Sequence, residues 1–143
     1  MKNNKGFSLV ELIIVIAIMA ILVGVMAPQL IRYIEKTKES SDVQLLDTVR
    51  SAVTTAILDP TVVTDSTVTI PTGKQELSKF MDGSSALDKA IQETLGASKA
   101  ADVQGQLKSK DCKGKKIEVE IKNGNTVIVY CNKLTVGGAS ASG

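Results

Sequence analysis

The residue with the most distinctive chemistry lies near the start of the chain, in the run GFSLVE at residues 6–11. Glu11 is an acid placed just inside an apolar segment, since the sixteen residues 12–27 carry no charge. An acid kept at the edge of a membrane-length apolar run is a functional-site candidate by default, because it needs a cationic or hydrogen-bonding partner there. Glu11 is therefore the first candidate functional residue, and charge pairing is its expected chemistry.

The rest of the sequence offers little for catalysis or metal binding. The chain has no histidine, which removes the commonest general base and metal ligand. It also lacks a GxSxG nucleophile motif and a CxxC pair. Asp102 and Asp111 are the only late acids that a calcium loop could use, without an oxygen-rich cluster around them. We expect a protein that is not an enzyme and has no cofactor or metal.

Residues 9–27 have the length and composition of a membrane helix. Twelve of them are Leu, Ile or Val, which favours insertion by about 4–7 kcal/mol against about 3 kcal/mol for one central acid. Lys2 and Lys5 precede the segment and should stay in the cytoplasm, which places the C-terminus outside. A cleaved secretory signal is the alternative, but Pro28 follows the only A-x-A-like position and is a poor residue there.

Small residues recur along one face of this helix at spacings of three, four and three: Ala17, Ala20, Gly24 and Ala27. Such a face lets another helix approach closely, although small residues are common in membrane helices in general. Pro28 removes a backbone donor, and Gly24 weakens the same turn. We expect helix packing along this face and a loosened helix between Gly24 and Pro28.

The apolar pattern continues beyond Pro28 with a period of 3.6 residues until Asp59-Pro60. The sequence therefore predicts one helix over residues 7–58, about 78 Å long at 1.5 Å per residue. Its first part, residues 7–30, is the membrane segment. The second half is amphipathic, so a small domain should cover its apolar stripe.

Residues 59–143 are predicted to form that domain, beginning with a loop at 59–73 that contains a short extended piece at 67–70. Thr72 followed by Gln75 resembles a capping box and predicts a short helix whose apolar residues are Leu77, Phe80 and Met81. A second short helix follows a Ser84 or Ser85 cap and ends at Gly96. Its inner face holds Leu87, Ala90, Ile91 and Leu95.

A β-hairpin is the clearest pattern in the second half of the chain. Residues 117–121 alternate between apolar and charged side chains, and Asn123-Gly124 is typical of a two-residue turn before the returning strand at 126–131. That turn places Tyr130 opposite Ile117. Val127 and Val129 then share a face with two glutamates, so either a loop or further strand covers them or a one-residue bulge changes the pairing. A third strand is expected at 134–136, and residues 137–143 are expected to be a flexible tail.

Two further features of the C-terminal domain leave alternatives open. Cys112 and Cys131 would close a loop of about 20 residues with a disulfide contributing about 3 kcal/mol, which suits an extracytoplasmic domain; two reduced thiols are the alternative. Five lysines near one acid form a basic run that could contact nucleic acid, an anionic surface or a neighbouring copy. A solvated loop is its plainer interpretation. The lysines are Lys108, Lys110, Lys113, Lys115 and Lys116.

The run at residues 6–11 resembles the processing motif of type IV prepilins, in which a short basic leader ends in Gly, Phe follows, and Glu is the fifth residue after the cut. The resemblance covers residues 1–30 closely and the rest only in general architecture. It implies removal of residues 1–6 by a prepilin peptidase between Gly6 and Phe7, and methylation of Phe7 by the same enzyme. Fifteen basic and fifteen acidic side chains would then remain. Glu11 would pair with a neighbouring subunit's amine, or with its own.

The resemblance also implies a fold, partners and a location. The fold would be α+β and lollipop-shaped, with the C-terminal half of the long helix packed on a small antiparallel sheet. The subunit would wait in the cytoplasmic membrane, then be assembled by an ATPase and a platform protein into a helical homopolymer outside the cell, with minor pilins as further partners. In that filament the helix between Gly24 and Pro28 would unwind.

Three functions remain open from the sequence. The first is the major structural subunit of a type IV pilus that serves adhesion, motility or biofilm formation. The second is a pseudopilin of a type II secretion or competence system, which would share the motif and build a shorter filament. The third is a plain membrane anchor with a binding domain, which has no use for the motif at residues 6–11.

Overall fold

The computed structural model describes residues 6–138 and begins with the long helix α1 at Leu9–Ile57. The predicted helix at residues 7–58 is therefore confirmed, with ends that differ by one or two residues. Within the described range the remaining helices are short: α2 (Pro60–Val63), a 3-10 helix (Leu77–Phe80), α3 (Ala86–Leu95) and α4 (Ala100–Gln104). Four strands form an antiparallel sheet in the order β1 (Gly73–Glu76), β2 (Glu118–Lys122), β3 (Thr126–Cys131) and β4 (Leu134–Val136). The predicted α+β class is confirmed.

The chain divides into two compact units, Met1–Lys36 and Thr37–Gly143. The described part of the first unit consists of residues 6–8 and a helical segment whose large apolar side chains are all exposed. By length and composition alone, α1 is the one described helix that could cross a membrane. Residues 1–5 of the predicted leader lie outside the described residues, as does most of the predicted flexible tail at 137–143.

The core of the second unit lies between the last turns of α1 and the sheet. Leu46, Val49 and Val53 of α1 have no solvent exposure and join one apolar cluster with Val119 of β2 and Val129 of β3. This stripe follows the 3.6-residue spacing expected of a helix that packs on one side. The prediction that the second half of α1 packs against a small domain is confirmed.

The predicted hairpin exists, but its register was predicted wrongly by one residue. Val119 lies opposite Val129 and Ile121 lies opposite Val127, so these four valines and isoleucines share the core face. Asn123 and Gly124 do form a turn with positive φ angles of 53° and 77°. The last pair before the turn is Lys122 opposite Thr126. The loop therefore has three residues, with Asn125 as the third. The bulge alternative, rather than the two-residue turn, matches the observed pairing.

The segment before the first short helix also differs from its prediction. Gly73–Glu76 is the edge strand β1, paired with β2, so Thr72 and Gln75 do not cap a helix. The short helix is a 3-10 helix with no side-chain cap, although it buries Leu77 and Phe80 as expected. Residues 67–70 do not form a strand.

The second short helix and the last strand follow their predictions. Ser85 and Asp88 form a reciprocal capping box at the start of α3, and Gly96 ends the helix in the left-handed conformation at φ 63°. Burial, and then the neighbouring Asp82, raises the pKa of the Asp88 carboxyl. The predicted third strand at 134–136 is present as β4.

Candidate functional site at the start of α1

Glu11 already has a hydrogen-bond partner within its own chain. Its Oε2 accepts a hydrogen bond from the backbone N–H of Ser8 at 2.9 Å, and the Leu12 N–H donates to the Ser8 carbonyl at 3.2 Å. Ser8 is thus the cap of α1, and Glu11 is the third helical residue. This contact is half of an S-x-x-E capping box. The S-x-x-E pattern of Ser8 and Glu11 is visible in the sequence. The prediction for Glu11 rested only on its place as an acid at the edge of an apolar run and did not include this cap.

Gly6 and Phe7 precede the helix and lie outside regular secondary structure. The Phe7 side chain is 93% exposed, and a Cβ built on Gly6 would meet no atom within 4 Å. The packing of the described chain therefore does not require glycine at position 6. A requirement for glycine there would have to come from a molecule that binds this segment, such as a protease with a narrow cleft.

The small-residue face of α1 is open along its length. Ala17, Ala20, Gly24 and Ala27 are all exposed, and no atom lies within 4 Å of a Cβ placed on Gly24. Pro28 has no N–H, so the carbonyl of Gly24 lacks its usual helical donor. The helix is nevertheless continuous through both residues, so loosening between them stays a prediction for another state of the chain.

Cys112 and Cys131 lie close together but are free thiols in the structure. Both are wholly buried, and the Cys112 Sγ lies 3.1 Å from the Cys131 carbonyl oxygen. Burial raises the pKa of both thiols. Because the thiolate is the reactive form, oxidation of the folded chain should be slow, and a bond between them would form during folding.

We predict that the native protein carries Cys112 joined to Cys131. The bond closes a short loop and should raise the free energy of unfolding by about 3 kcal/mol. Mass spectrometry of a non-reduced digest checks the bond, with a Cys112→Ser, Cys131→Ser chain as the matched control. Complete alkylation of both thiols in unfolded, unreduced protein would contradict it.

The basic run is held in place by a buried acid that the sequence did not single out. Asp42 of α1 has no solvent exposure, and its two carboxylate oxygens accept the backbone N–H groups of Lys108 and Ser109 at 2.8 Å each. Lys116 forms an ion pair with Glu76 at 2.8 Å. In the sequence, Asp42 ends the polar run Ser40-Ser41-Asp42, and nothing near it indicates these distant partners.

Comparison with known proteins gives one match at this end of the chain and further matches to two fimbrial relatives. A family model described as a prokaryotic N-terminal methylation motif matches residues 1–27. A fimbrial protein of Pseudomonas aeruginosa is 39% identical over 59 residues, which are 41% of this chain and 38% of that protein. A type IV major fimbrial protein, FimA, of Dichelobacter nodosus is 40% identical over 56 residues, which are 39% of this chain and 36% of that protein.

These matches are partial. The chain spans less than two fifths of the length of each relative it matches, and no solved structure shows a significant match. The family model covers residues 1–27 and so supports the resemblance inferred from residues 6–11.

Proposed function

We propose that this type IV pilin-like chain, whose N-terminus carries the methylation motif, is the major structural subunit of a type IV pilus. A prepilin peptidase would cut between Gly6 and Phe7 and methylate the Phe7 amine. The processed subunit would then polymerise through α1. The observation that carries the proposal is the motif placed directly before the first part of α1, residues 9–34, whose large apolar side chains are all exposed within the described chain.

Cleavage would change the role of Glu11. The cut creates a cationic amine on Phe7, only four residues before the Glu11 carboxylate. In a bundle of apolar helices an unpaired charge is costly, whereas an amine and a carboxylate from neighbouring helices satisfy each other. Glu11 would thereby fix the axial register of each new subunit. When the Glu11 carboxylate pairs with an amine, it would either lose its hydrogen bond from the Ser8 N–H or keep it on one oxygen.

The apolar part of α1 supplies the reason to polymerise. Large apolar side chains are exposed all round the helix rather than on one stripe. In the membrane, lipid would cover them; in a filament, the helices of other copies would do so, with the small-residue face allowing close approach. Before assembly the subunit would be a single-pass protein of the cytoplasmic membrane, with unit Thr37–Gly143 outside.

The remaining partners and roles follow from this assignment. An assembly ATPase and a platform protein would extrude the subunit, minor pilins could join the filament, and the pilus would serve adhesion, motility or biofilm formation. The major-subunit assignment is supported by the relative named as a major fimbrial protein. A pseudopilin of a secretion or competence system shares the same motif and is the competing assignment.

One preparation tests the proposal. Sheared surface material should contain long filaments in electron micrographs, labelled by an antibody against this chain. Its intact mass should correspond to residues 7–143 plus one methyl group. A full-length mass would contradict processing. An absence of labelled surface filaments, together with loss of secretion or DNA uptake when the gene is deleted, would favour the pseudopilin.

A further inference from the structure

A cluster of exposed lysines lies in residues 108–116, here called the basic loop. The five lysines are exposed, and Asp111 is the single acid among them. Lys116 pairs with Glu76. Within the part of the chain that the structure describes, the ammonium groups of Lys108, Lys113 and Lys115 have no carboxylate at ion-pair distance. The loop thus carries positive charge that its own unit does not neutralise.

The backbone of the basic loop is fixed. Asp42 binds the N–H groups at its start, and Ser109 and Cys112 have no solvent exposure. The lysine side chains therefore project from a rigid base. A partner that binds them would order only side chains and not the loop, which lowers the entropic penalty of association.

The opposite charge is found in residues 59–70, here called the acidic loop. Residues 51–73 contain Asp59 and Asp65 but no Lys or Arg. Each aspartate accepts two hydrogen bonds from the threonine two residues later, from its N–H and from its hydroxyl, at 2.6–2.9 Å. These hydrogen bonds lower the pKa of both carboxyls, so both stay ionised over a wide pH range.

The two loops lie at opposite ends of the α1 segment in this unit. The basic loop is bound to Asp42, whereas the acidic loop begins two residues after Ile57, where α1 ends. Fifteen residues of helix separate these points, about 22 Å at 1.5 Å per residue. The other end of the basic loop lies on the same side, because Lys116 pairs with Glu76 opposite Glu118, at the end of β2 away from the hairpin tip that shares a groove with Asp65. Within one chain the lysines of the basic loop therefore do not reach the acidic loop.

Other charged residues near the two loops do not cancel this separation of positive and negative charge. Lys38 and Glu39, one turn before Asp42, are of opposite sign. The hairpin tip shares a surface groove with Asp65, and Lys122 at the base of the tip pairs with Glu120 at 3.4 Å. The unit is therefore basic at one end of its helix and acidic at the other.

We propose that the basic loop of one copy docks on the acidic loop of the next copy, with Lys113 and Lys115 facing Asp59 and Asp65. Two different complementary surfaces on one subunit form a head-to-tail contact, which generates an open polymer rather than a closed dimer. The inference rests on the proposed filament, and adds to it a contact outside the apolar core that would fix register by charge.

A second copy suits the basic loop better than nucleic acid does. Residues 7–143 carry equal numbers of basic and acidic side chains, so the positive loop is balanced by acids elsewhere in the same subunit. The loop also has no aromatic residue between its lysines for stacking on bases. Identical subunits can satisfy both loops at every step of a polymer.

Zero-length cross-linking of native filaments tests the contact directly. A carbodiimide should join Lys113 or Lys115 to Asp59 or Asp65, and peptide mass spectrometry of the digest would identify the link. Because the helix separates the two loops within one chain, such a link would join two copies. Intact filaments that give other lysine–carboxylate links but none between these loops would overturn the proposal.

Charge reversal supplies the second test. Lys113→Glu with Lys115→Glu should reduce the yield of sheared filaments at least fivefold, and adding Asp65→Lys should restore at least half of the loss. Lys79→Glu with Lys89→Glu, two exposed lysines outside the loop, is the matched control and should leave the yield within twofold. An unchanged filament yield from the Lys113→Glu, Lys115→Glu variant would overturn the inference, whether or not that variant also loses binding to duplex DNA. Failure of the unaltered chain to form filaments would instead count against the proposed function.

Discussion

Replacing Glu11 with alanine is expected to leave cleavage after Gly6 intact and to reduce the yield of filaments more than tenfold. The alanine variant leaves the Phe7 amine without an anion in an apolar helix bundle, and removing one partner of a buried ion pair typically costs about 3–5 kcal/mol. Cleavage is expected to depend on the residues around Gly6 and Phe7, which lie before the helix. Intact mass of the membrane pool measures cleavage, and immunoblots of sheared material measure assembly.

Glu11→Gln separates the two contacts that Glu11 can make. Glutamine can still accept the Ser8 N–H hydrogen bond and complete the helix cap, but it carries no charge. If register depends on charge pairing, the glutamine variant should assemble as poorly as the alanine variant. Filament yield near that of the unaltered chain would show that Glu11 acts through the cap, and would contradict the charge-pairing role.

Local patterns in the sequence predict local structure well. The 3.6-residue stripe of α1 and the caps of α3 need only neighbouring residues, and both are present. The hairpin was predicted only in part from local sequence. Asn123-Gly124 forms the expected turn, but the observed strand pairing leaves Asn125 in the loop as well. Burial of four apolar side chains on one face outweighed the shorter turn, since a one-residue shift moves every side chain across the sheet.

Structure that depends on distant partners could not be predicted. The strand β1 has the polar sequence GKQE, which does not by itself predict a strand. It is extended because its backbone pairs with β2. Asp42 is a similar case, because its partners lie 66 and 67 residues further along the chain. The residues of the processing motif, by contrast, are contiguous, so Gly6, Phe7 and Glu11 could be proposed without any knowledge of the fold.

Replacing Asp42 with alanine is expected to lower the free energy of unfolding of unit Thr37–Gly143 by about 1–4 kcal/mol. The change leaves the buried N–H group of Ser109 and the partly buried N–H group of Lys108 without an acceptor, and an unsatisfied buried donor costs about 1–3 kcal/mol. Small domains have only about 5–15 kcal/mol in total, so a loss of this size should move the urea midpoint to a clearly lower concentration. Urea titration of the full chain in detergent, followed by hydrogen–deuterium exchange of the β2–β3 peptides, measures the loss.

Asp47→Ala is the matched control on the same helix. Asp47 pairs with Arg50 at 2.9 Å, but its side chain is 51% exposed, so its loss should change the free energy of unfolding by less than about 1 kcal/mol. Asp42→Asn should fall between the two, because its amide oxygen can accept one N–H while its NH2 group faces the other donor. Equal urea midpoints for the Asp42→Ala and Asp47→Ala variants would show that the basic loop is held by its buried apolar and thiol contacts, and that Asp42 is dispensable for its position.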